Sequence, residues 1–273
     1  MRIKIYVAHH KKGFIYKDDF FEPIQVGKSN TNLDLKILGD NTNTNISKLN
    51  PYYCELTATY WAWKNDNSDY VGICHYRRYF YPNYIFNYFS KNRLHYFYVK
   101  LFSPKNKQLF FLNQISIINI QKEKYLIKFS KWLKTHTLKT NTKIYALKPV
   151  LYLNKNNTDL FSEIGIEYIN QLKECIAIYF TEYEHEFNLT LNSKELNYAN
   201  MVIMDKYYFN EYCEFLFGVL EKHFHLNNTN KLQRDQYSRV AGYMGELLTN
   251  CYILNKKRKN IKIEYLSSLF INP

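Results

Sequence analysis

The sequence has few of the residues that build disulfide frameworks and zinc sites. Its 273 residues include five cysteines, and no two of them form a Cys-x-x-Cys pair. Zinc sites and small disulfide-bonded domains need closely spaced cysteines, so neither is indicated. We expect these cysteines to be small buried residues of a protein in a reducing compartment.

Long apolar runs are also missing. No stretch reaches the roughly 18 to 20 apolar residues that a membrane-spanning helix needs. Residues 1–8 are too short and too interrupted by polar residues for a signal peptide, and they have the pattern of a first strand. We therefore predict a cytoplasmic protein. No Pro/Gly/Ser-rich linker divides the chain, so we predict one domain, residues 1–273, with an aromatic, basic insertion at about residues 81–148.

Acidic residues are outnumbered by basic ones, 24 to 37, which gives a formal net charge of +13. Such a charge favours an acidic partner, which is nucleic acid, anionic lipid or a phosphorylated small molecule. The sequence has no zinc-finger spacing, RNP-like run or basic heptad region, so it lacks common nucleic-acid-binding motifs. The basic run at residues 256–259 follows an apolar helical pattern, which favours an anionic membrane surface.

Metal-ligand clusters are scarce as well. The densest group of possible ligands is the acidic stretch at residues 182–186, which includes His185. Neighbouring residues of a helix or a strand point in different directions, so they rarely converge on one ion. We predict a solvated acidic loop there.

The most informative stretch combines an apolar run at residues 70–74 with a cationic, aromatic cluster. The run predicts a buried strand, and His75, Arg77 and Arg78 follow it directly. Ligands of open α/β sheets bind beyond the carboxyl ends of strands, and guanidinium groups match phosphate oxygens. The cluster therefore predicts a site for a phosphorylated ligand. The alternative is a basic loop with its arginines in solvent.

A helix is predicted before this strand. Asn50 is a favourable N-cap, Pro51 suits the first helical position, and apolar residues recur at helical spacing over residues 51–65. Predicted strands and predicted helices alternate along the rest of the chain, so the pattern predicts an α/β fold. Strands are predicted at residues 2–8 and 149–153, and helices at residues 159–180, 206–225 and 236–254.

Several short motifs occur together in a fixed order. They are Pro23-Ile24-Gln25-Val26-Gly27, Gly39-Asp40-Asn41-Thr42, Asn45-Ile46-Ser47, Asn50-Pro51-Tyr52-Tyr53-Cys54-Glu55, Asp69-Tyr70-Val71-Gly72, His75-Tyr76-Arg77-Arg78 and Asn200-Met201-Val202. With these motifs, from residue 2 to about residue 254, the chain resembles the DUF4422 family. Its members are bacterial glycosyltransferases of capsule, exopolysaccharide and lipopolysaccharide O-chain loci. One departure is Ala199, because a glycine usually precedes the Asn-Met pair.

The resemblance implies a GT-A-like, Rossmann-like domain with a mixed sheet flanked by helices. It implies transfer from a nucleotide-diphosphate sugar, a UDP-hexose with UDP-galactose or UDP-galactofuranose as candidates. The implied acceptor is a growing lipid-linked surface polysaccharide, and the protein would lie peripherally at the inner face of the cytoplasmic membrane. The alternative is a non-catalytic basic module that binds nucleic acid or glycans.

The resemblance and the strand ends together give a set of expected site residues. Those expected to bind the nucleotide sugar are His10, Lys11, Gln25, Val26, Gly27, His75, Arg77, Arg78 and Asn200. Inverting transfer also needs a carboxylate base for the acceptor hydroxyl, and the two candidates are Asp40 and Glu246. Glu55 is interpreted as a structural residue of the first helix.

GT-A enzymes usually hold a divalent metal with an Asp-x-Asp motif, and this sequence contains none. The metal neutralises the diphosphate leaving group, so positive charge must come from elsewhere. His75, Arg77 and Arg78 could supply it. We therefore assign no metal-binding residue, and Mg²⁺ or Mn²⁺ held through the substrate phosphates is left open.

Overall fold

A computed structural model of the protein describes residues 1–82, 114–117, 122–152, 154–228 and 239–271. These residues form a mixed α/β structure, as the periodicities predict. The strands are β1 Ile3–His9, β2 Phe21–Gln25, β3 Leu38–Gly39, β4 Tyr70–His75, β5 Arg78–Tyr81, β6 Gln114–Ile117, β7 Ile144–Leu147, β8 Val150–Leu151, β9 Glu195–Leu196, β10 Val202–Asp205 and β11 Ile263–Ile271. The helices are α1 Asn50–Tyr53, α2 Leu56–Asn65, α3 Lys122–Thr140, α4 Asn157–Tyr179, α5 Glu184–Asn192, α6 Lys206–Asn228 and α7 Val240–Arg258.

Nine of the described strands form one mixed sheet. β1 pairs in parallel with β2 and β4, and β2 pairs in parallel with β3. β10 is antiparallel to both β4 and β7. β11 is parallel to β6 and β7 and antiparallel to β5. β8 and β9 pair separately.

This topology gathers the ends of four strands at one edge of the sheet, which we call the site edge. β1, β2 and β4 are parallel, so their last residues, His9, Gln25 and His75, lie there. β10 runs the opposite way and pairs its first residue, Val202, with Ile73. The residues before β10 therefore reach the same edge.

Alternating side chains of the strands pack on the two faces of the sheet. On β1, Ile3, Ile5 and Val7 join the cluster that includes Phe129 and Leu133 of α3. Tyr6 and Ala8 face the other side and pack in the cluster that includes residues of α1, α2 and α4 to α7. The sheet is thus covered by helices on both faces, which leaves the site edge between them.

The helix predicted over residues 51–65 is interrupted. Cys54 has φ 52° and ψ −130°, which ends α1 and lets α2 start at Leu56. Asn50 stabilises this break, because its side-chain amide donates to the Cys54 carbonyl at 2.7 Å and to the Thr57 hydroxyl at 3.2 Å. The break places residues 54 and 55 at the site edge rather than inside a continuous helix.

The other predicted helices form, with shifted ends. α4 begins at Asn157 because Asn156 and Asp159 make a reciprocal capping box, and Gly165, at φ 144°, interrupts it. Part of the predicted insertion belongs to the main sheet, since β6 pairs with β11 and β7 pairs with β10 and β11. Residues 83–113 and 118–121 of that segment lie outside the described residues. The strand β11 had no counterpart in the sequence analysis.

One prediction about a charged segment is wrong, and a second charged segment is partly buried. Residues 182–186 form a short turn and the start of α5 rather than a solvated loop, and Glu186 is buried in an ion pair with Arg258. In the basic run 256–259, Lys256 is 2% exposed and bonds to Glu211. Two of the four basic residues, Lys256 and Arg258, are therefore paired with carboxylates of α6 and α5.

The cysteine prediction holds for four of the five residues. Cys74, Cys175, Cys213 and Cys251 are buried, Cys54 is half-buried, and all five are free thiols. Among the helices that the structure describes, none combines the length and the apolar character required to cross a membrane.

Candidate active site

Two adjoining cavities lie along the site edge. The β1 cavity, of about 220 Å³, is lined by Ala8, His10 and Val26 on the sheet side. The α7 cavity, of about 370 Å³, is lined by Arg78, Tyr243 and Glu246 together with apolar residues of α4. Both cavities share the side chains of Glu55, His75 and Arg239. They therefore form one continuous cleft with charged residues at its centre.

The cationic cluster after β4 forms a tight hairpin. His75 pairs in register with Arg78 across the two-residue turn Tyr76-Arg77. Arg78 lines the α7 cavity, whereas Arg77 packs over the rings of Tyr76, at 5.0 Å, and Phe270, at 5.8 Å. Arg77 forms no ion pair with any described acid. One of the two predicted arginines thus faces the cleft directly, and its neighbour lies beside it.

His75 does not carry the positive charge that the sequence analysis expected. Burial lowers the pKa of His75 to about 3, and the neighbouring Arg78 contributes in the same direction. The imidazole is therefore neutral at physiological pH. In the cleft it can donate or accept a hydrogen bond, while the positive charge has to come from guanidinium groups.

Arg239 supplies a second guanidinium that the sequence analysis missed. It is exposed, lines both cavities, and lies 5.8 Å from the ring of Tyr243. Its left-handed backbone, with φ 69°, directs its N–H to the carbonyl of Pro51 at 2.9 Å. Arg239 follows no strand and belongs to no basic run, so no local pattern pointed to it.

Residues after β1 and β2 form the far end of the cleft. His10 and Val26 line the β1 cavity as expected. Burial lowers the pKa of His10, and the positive charges of Lys11 and Arg239 act in the same direction. Lys11 is exposed, with its ammonium 5.8 Å from the Tyr76 ring. His10, Val26 and His75 therefore come together as the sequence predicts, whereas Lys11 lines neither cavity.

Gln25 and Gly27 support this end of the cleft without lining it. The side-chain amide of Gln25 donates to the carbonyl of Leu33 and accepts from the N–H of Leu35, so it holds a neighbouring loop. Gly27 has φ 64°, and a Cβ there would lie 2.5 Å from the side-chain oxygen of Asn50. Only glycine permits this approach.

Asp40 lies behind the cleft. It is fully buried, and its carboxylate accepts hydrogen bonds from the N–H groups of Gly27, at 2.8 Å, and Lys28, at 3.1 Å, and from the hydroxyl of Ser47. It lines neither cavity. The geometry favours a role in anchoring the turn after β2 rather than the predicted role as a base.

Among the described residues, the two carboxylates that line the cleft are Glu55 and Glu246. Glu55 was interpreted as structural, yet the break at Cys54 places it in both cavities. Burial raises the pKa of Glu246 to about 7, and the charge of Glu55 adds to this rise. Asn200 does not line either cavity, since its buried amide donates to Glu55 at 2.9 Å and to the Gly242 carbonyl at 2.8 Å.

No group of three or more His, Cys, Asp or Glu side chains that could hold a metal ion occurs within the described part of the chain. The charged groups of the cleft are instead two guanidiniums and two carboxylates, Arg78, Arg239, Glu55 and Glu246. This arrangement can bind an anionic ligand and, on the α7 side, accept a proton.

Residues 4–258 match the family described as Domain of unknown function (DUF4422). The chain belongs to the DUF4422 family. The resemblance carried by the motifs is thereby confirmed. Among solved structures, this DUF4422 chain is similar to one titled as the apo structure of the WbbM bifunctional glycosyltransferase, with 28% sequence identity and a TM-score of 0.80. The similarity covers 100% of this chain and 46% of that one, so this chain spans just under half of it. No curated protein matches the sequence.

Proposed function

We propose that this DUF4422 protein is a glycosyltransferase with a GT-A-like fold. Its donor would be a nucleotide-diphosphate sugar, a UDP-hexose such as UDP-galactose or UDP-galactofuranose, and its acceptor a lipid-linked surface polysaccharide. One observation carries the proposal: a continuous cleft places Arg78 and Arg239 beside two carboxylates, Glu55 and Glu246. The similarity to a bifunctional glycosyltransferase supports the same reaction class.

The arrangement of the cleft suggests how the donor would bind. The nucleotide would occupy the β1 cavity next to His10 and Val26. The diphosphate would then reach Arg239, which lines both cavities, and Arg78, which lines the α7 cavity. Guanidinium groups placed where charge develops stabilise a departing diphosphate, so these two arginines would favour cleavage of the bond to the sugar.

The acceptor would enter through the α7 cavity. Three tyrosines, Tyr152, Tyr198 and Tyr243, line this cavity and offer aromatic faces to a sugar ring. In a direct displacement, the acceptor oxygen bonds to the anomeric carbon while the bond from that carbon to the diphosphate oxygen breaks. The diphosphate keeps the electron pair, and the hydroxyl proton passes to Glu246. A carboxylate with a pKa near 7 suits this task, because it can accept a proton at neutral pH.

A panel of nucleotide sugars tests the donor, measured both as thermal protection and as sugar transfer or hydrolysis. A bound nucleotide raises the melting temperature by mass action. Arg78→Ala and Arg239→Ala should each lower kcat/KM about tenfold to a hundredfold, as expected when a hydrogen bond to a charged group is lost. Arg2→Ala is the matched control, because Arg2 is exposed at the opposite end of β1.

The same experiment separates the proposal from a non-catalytic binding module. A module for nucleic acid would show no turnover with any nucleotide sugar, and its affinity for nucleic acid would fall steeply with salt. Wild-type kcat/KM in both arginine variants would remove the donor site from this cleft. The absence of any nucleotide binding would remove the proposed function altogether.

We further propose that the protein works against an anionic membrane surface, where a lipid-linked acceptor resides. The described residues that support this lie on α3 rather than in the run 256–259. The outward side of α3 has a single acid, Glu123, and two exposed apolar residues, Ile127 and Leu138. Its exposed basic residues are Lys124, Lys128, Lys131, Lys134 and Lys139. Each lysine near an anionic leaflet contributes about 1 kcal/mol, so together they favour reversible attachment.

A further inference from the structure

One face of α7 holds the segment that precedes β10. Gly242, Glu246 and Asn250 follow at intervals of four residues, so they lie on the same side of the helix. The Asn250 amide exchanges two hydrogen bonds with the backbone of Asn197, at 2.8 and 2.9 Å. Glu246 accepts from the N–H of Ala199 at 2.8 Å, and Gly242 accepts from the Asn200 amide. The segment is therefore fixed to the helix at three successive turns.

The backbone of this segment has an uncommon conformation. Ala199 and Asn200 are both left-handed, with φ 69° and φ 52°. A residue with a Cβ adopts this region at a steric cost, which indicates that surrounding contacts impose it. The result is that two successive donors, the Ala199 N–H and the Asn200 amide, point to two different carboxylates.

The second carboxylate, Glu55, comes from the break between α1 and α2. Its Oε1 accepts from the Asn200 amide at 2.9 Å, and Asn200 is 1% exposed. Gly245 permits this approach, because a Cβ at that position would lie 3.0 Å from the Asn200 oxygen. Glu55 and Glu246 thus enter the α7 cavity from different elements but are held by neighbouring residues of one turn.

We infer that residues 199 and 200 form a clamp that pairs Glu55 with Glu246, so that the negative charge of Glu55 holds the acceptor's proton on Glu246. Glu246 remains the residue that touches the acceptor hydroxyl, and Glu55 is a positioning residue. The inference rests on the proposed function, since it assigns a task to the second carboxylate of that site. Nothing in the sequence pattern distinguishes Glu55 from a structural residue of the first helix.

The electrostatics of the cavity agree with this geometry. Burial is the largest cause of the raised pKa of Glu246, and Glu55 raises it further. The Ala199 N–H, Arg78 and Arg239 act in the opposite direction. The remaining ionisable side chains that line the cavity are His75, Tyr152, Tyr198 and Tyr243. Because His75 is neutral, Glu55 is the group whose removal should lower the proton affinity of Glu246 most directly.

The titration of Glu246 can be measured without any substrate. In protein labelled with ¹³C at the glutamate carboxyls, the Glu246 signal is identified by its loss in Glu246→Gln. We expect a wild-type midpoint at about 7 and a lower midpoint in Glu55→Gln. Glu55→Asp keeps the charge and should stay near the wild-type midpoint. Glu184→Gln removes an exposed carboxylate of α5 and should change nothing.

The dependence of kcat/KM on pH provides a second test, because the direction of the expected shift is defined. The base works in its deprotonated form, so kcat/KM rises with pH through the pKa of Glu246. Glu55→Gln should therefore move this acidic limb to lower pH, whereas a purely structural defect would lower the rate at every pH. If Glu55→Gln does not fold, Glu55→Ala is the second neutral variant.

An unchanged midpoint in the neutral Glu55 variants would overturn the inference, as would a wild-type midpoint near the ordinary value of 4.5. The proposed function fails separately. If the wild-type protein transfers no sugar but the Glu246 midpoint is still lower in Glu55→Gln, the pairing of the two carboxylates stands. The reaction assigned to them is then wrong.

Discussion

Replacing Asp40 separates the two roles that its position could have, a catalytic base or an anchor of the turn after β2. Its carboxylate is fully buried and accepts hydrogen bonds from two backbone N–H groups and from the Ser47 hydroxyl. In Asp40→Ala all three donors lose their partner in the interior. We therefore expect a loss of stability first, and a loss of activity only as its consequence.

The magnitude follows from the number of bonds. A hydrogen bond to a charged group contributes about 1.5 to 3 kcal/mol to stability. Each buried donor that is left without a partner adds a desolvation penalty to the loss. Removing the carboxylate also removes the cost of burying it, which offsets part of this loss. The net decrease in the free energy of unfolding should be about 2 to 4 kcal/mol, or a melting temperature about 5 to 15 °C lower.

Urea denaturation and thermal melting measure this decrease, and each variant is assayed at a temperature where it is folded. Asp34→Ala is the matched control, because Asp34 is an exposed aspartate whose partners are the surface residues Lys28 and Lys36. It should unfold like wild type. If Asp40→Ala unfolds like wild type but transfers no sugar, the anchoring role is refuted and Asp40 belongs to the chemistry.

Two further predictions concern metal dependence and membrane binding. Transfer should persist in EDTA, because Arg78 and Arg239 supply the positive charge; activity that disappears in chelator and returns with Mg²⁺ or Mn²⁺ would contradict this. The triple variant Lys128→Gln, Lys131→Gln, Lys134→Gln should bind anionic liposomes about a hundredfold more weakly than wild type, while neutral liposomes bind little of either. Neutralising the exposed Lys257 and Lys259 is the control, and an equal loss there would show that the attraction is spread over the whole surface.

The sequence predicts the parts of the fold that depend on local pattern. Residues 70–74 are apolar without interruption because β4 is buried on both faces, and the strand forms at Tyr70–His75. α6 and α7 repeat their apolar residues at helical spacing and form close to the predicted bounds. The prediction also holds for part of the site. The parallel strands β1, β2 and β4 end at the same edge, which brings His10, Val26 and His75 together.

The sequence fails where a specific side-chain contact decides the local structure. Asn50 was expected only to cap a helix, but its amide bonds the Cys54 carbonyl and stabilises a break in that helix. Lys256 belongs to a run that was expected to favour an anionic membrane surface, yet it is buried and bonds to Glu211, forty-five residues away. Glu211 lies on α6 and Lys256 on α7, so no short window of sequence shows this pair.

The cleft also depends on contacts that the sequence pattern does not show. Glu55 faces it because the chain breaks at Cys54, and Arg239 faces it because its backbone N–H binds the Pro51 carbonyl. Both contacts converge on the short helix α1, which the sequence shows only as the start of a longer helix. A continuous helix over residues 51–65 would lack the half-buried turn at residues 54 and 55, which places Glu55 where both cavities meet. The local irregularity, rather than any of the regular elements, is therefore what brings Arg239 and Glu55 into one cleft with Glu246.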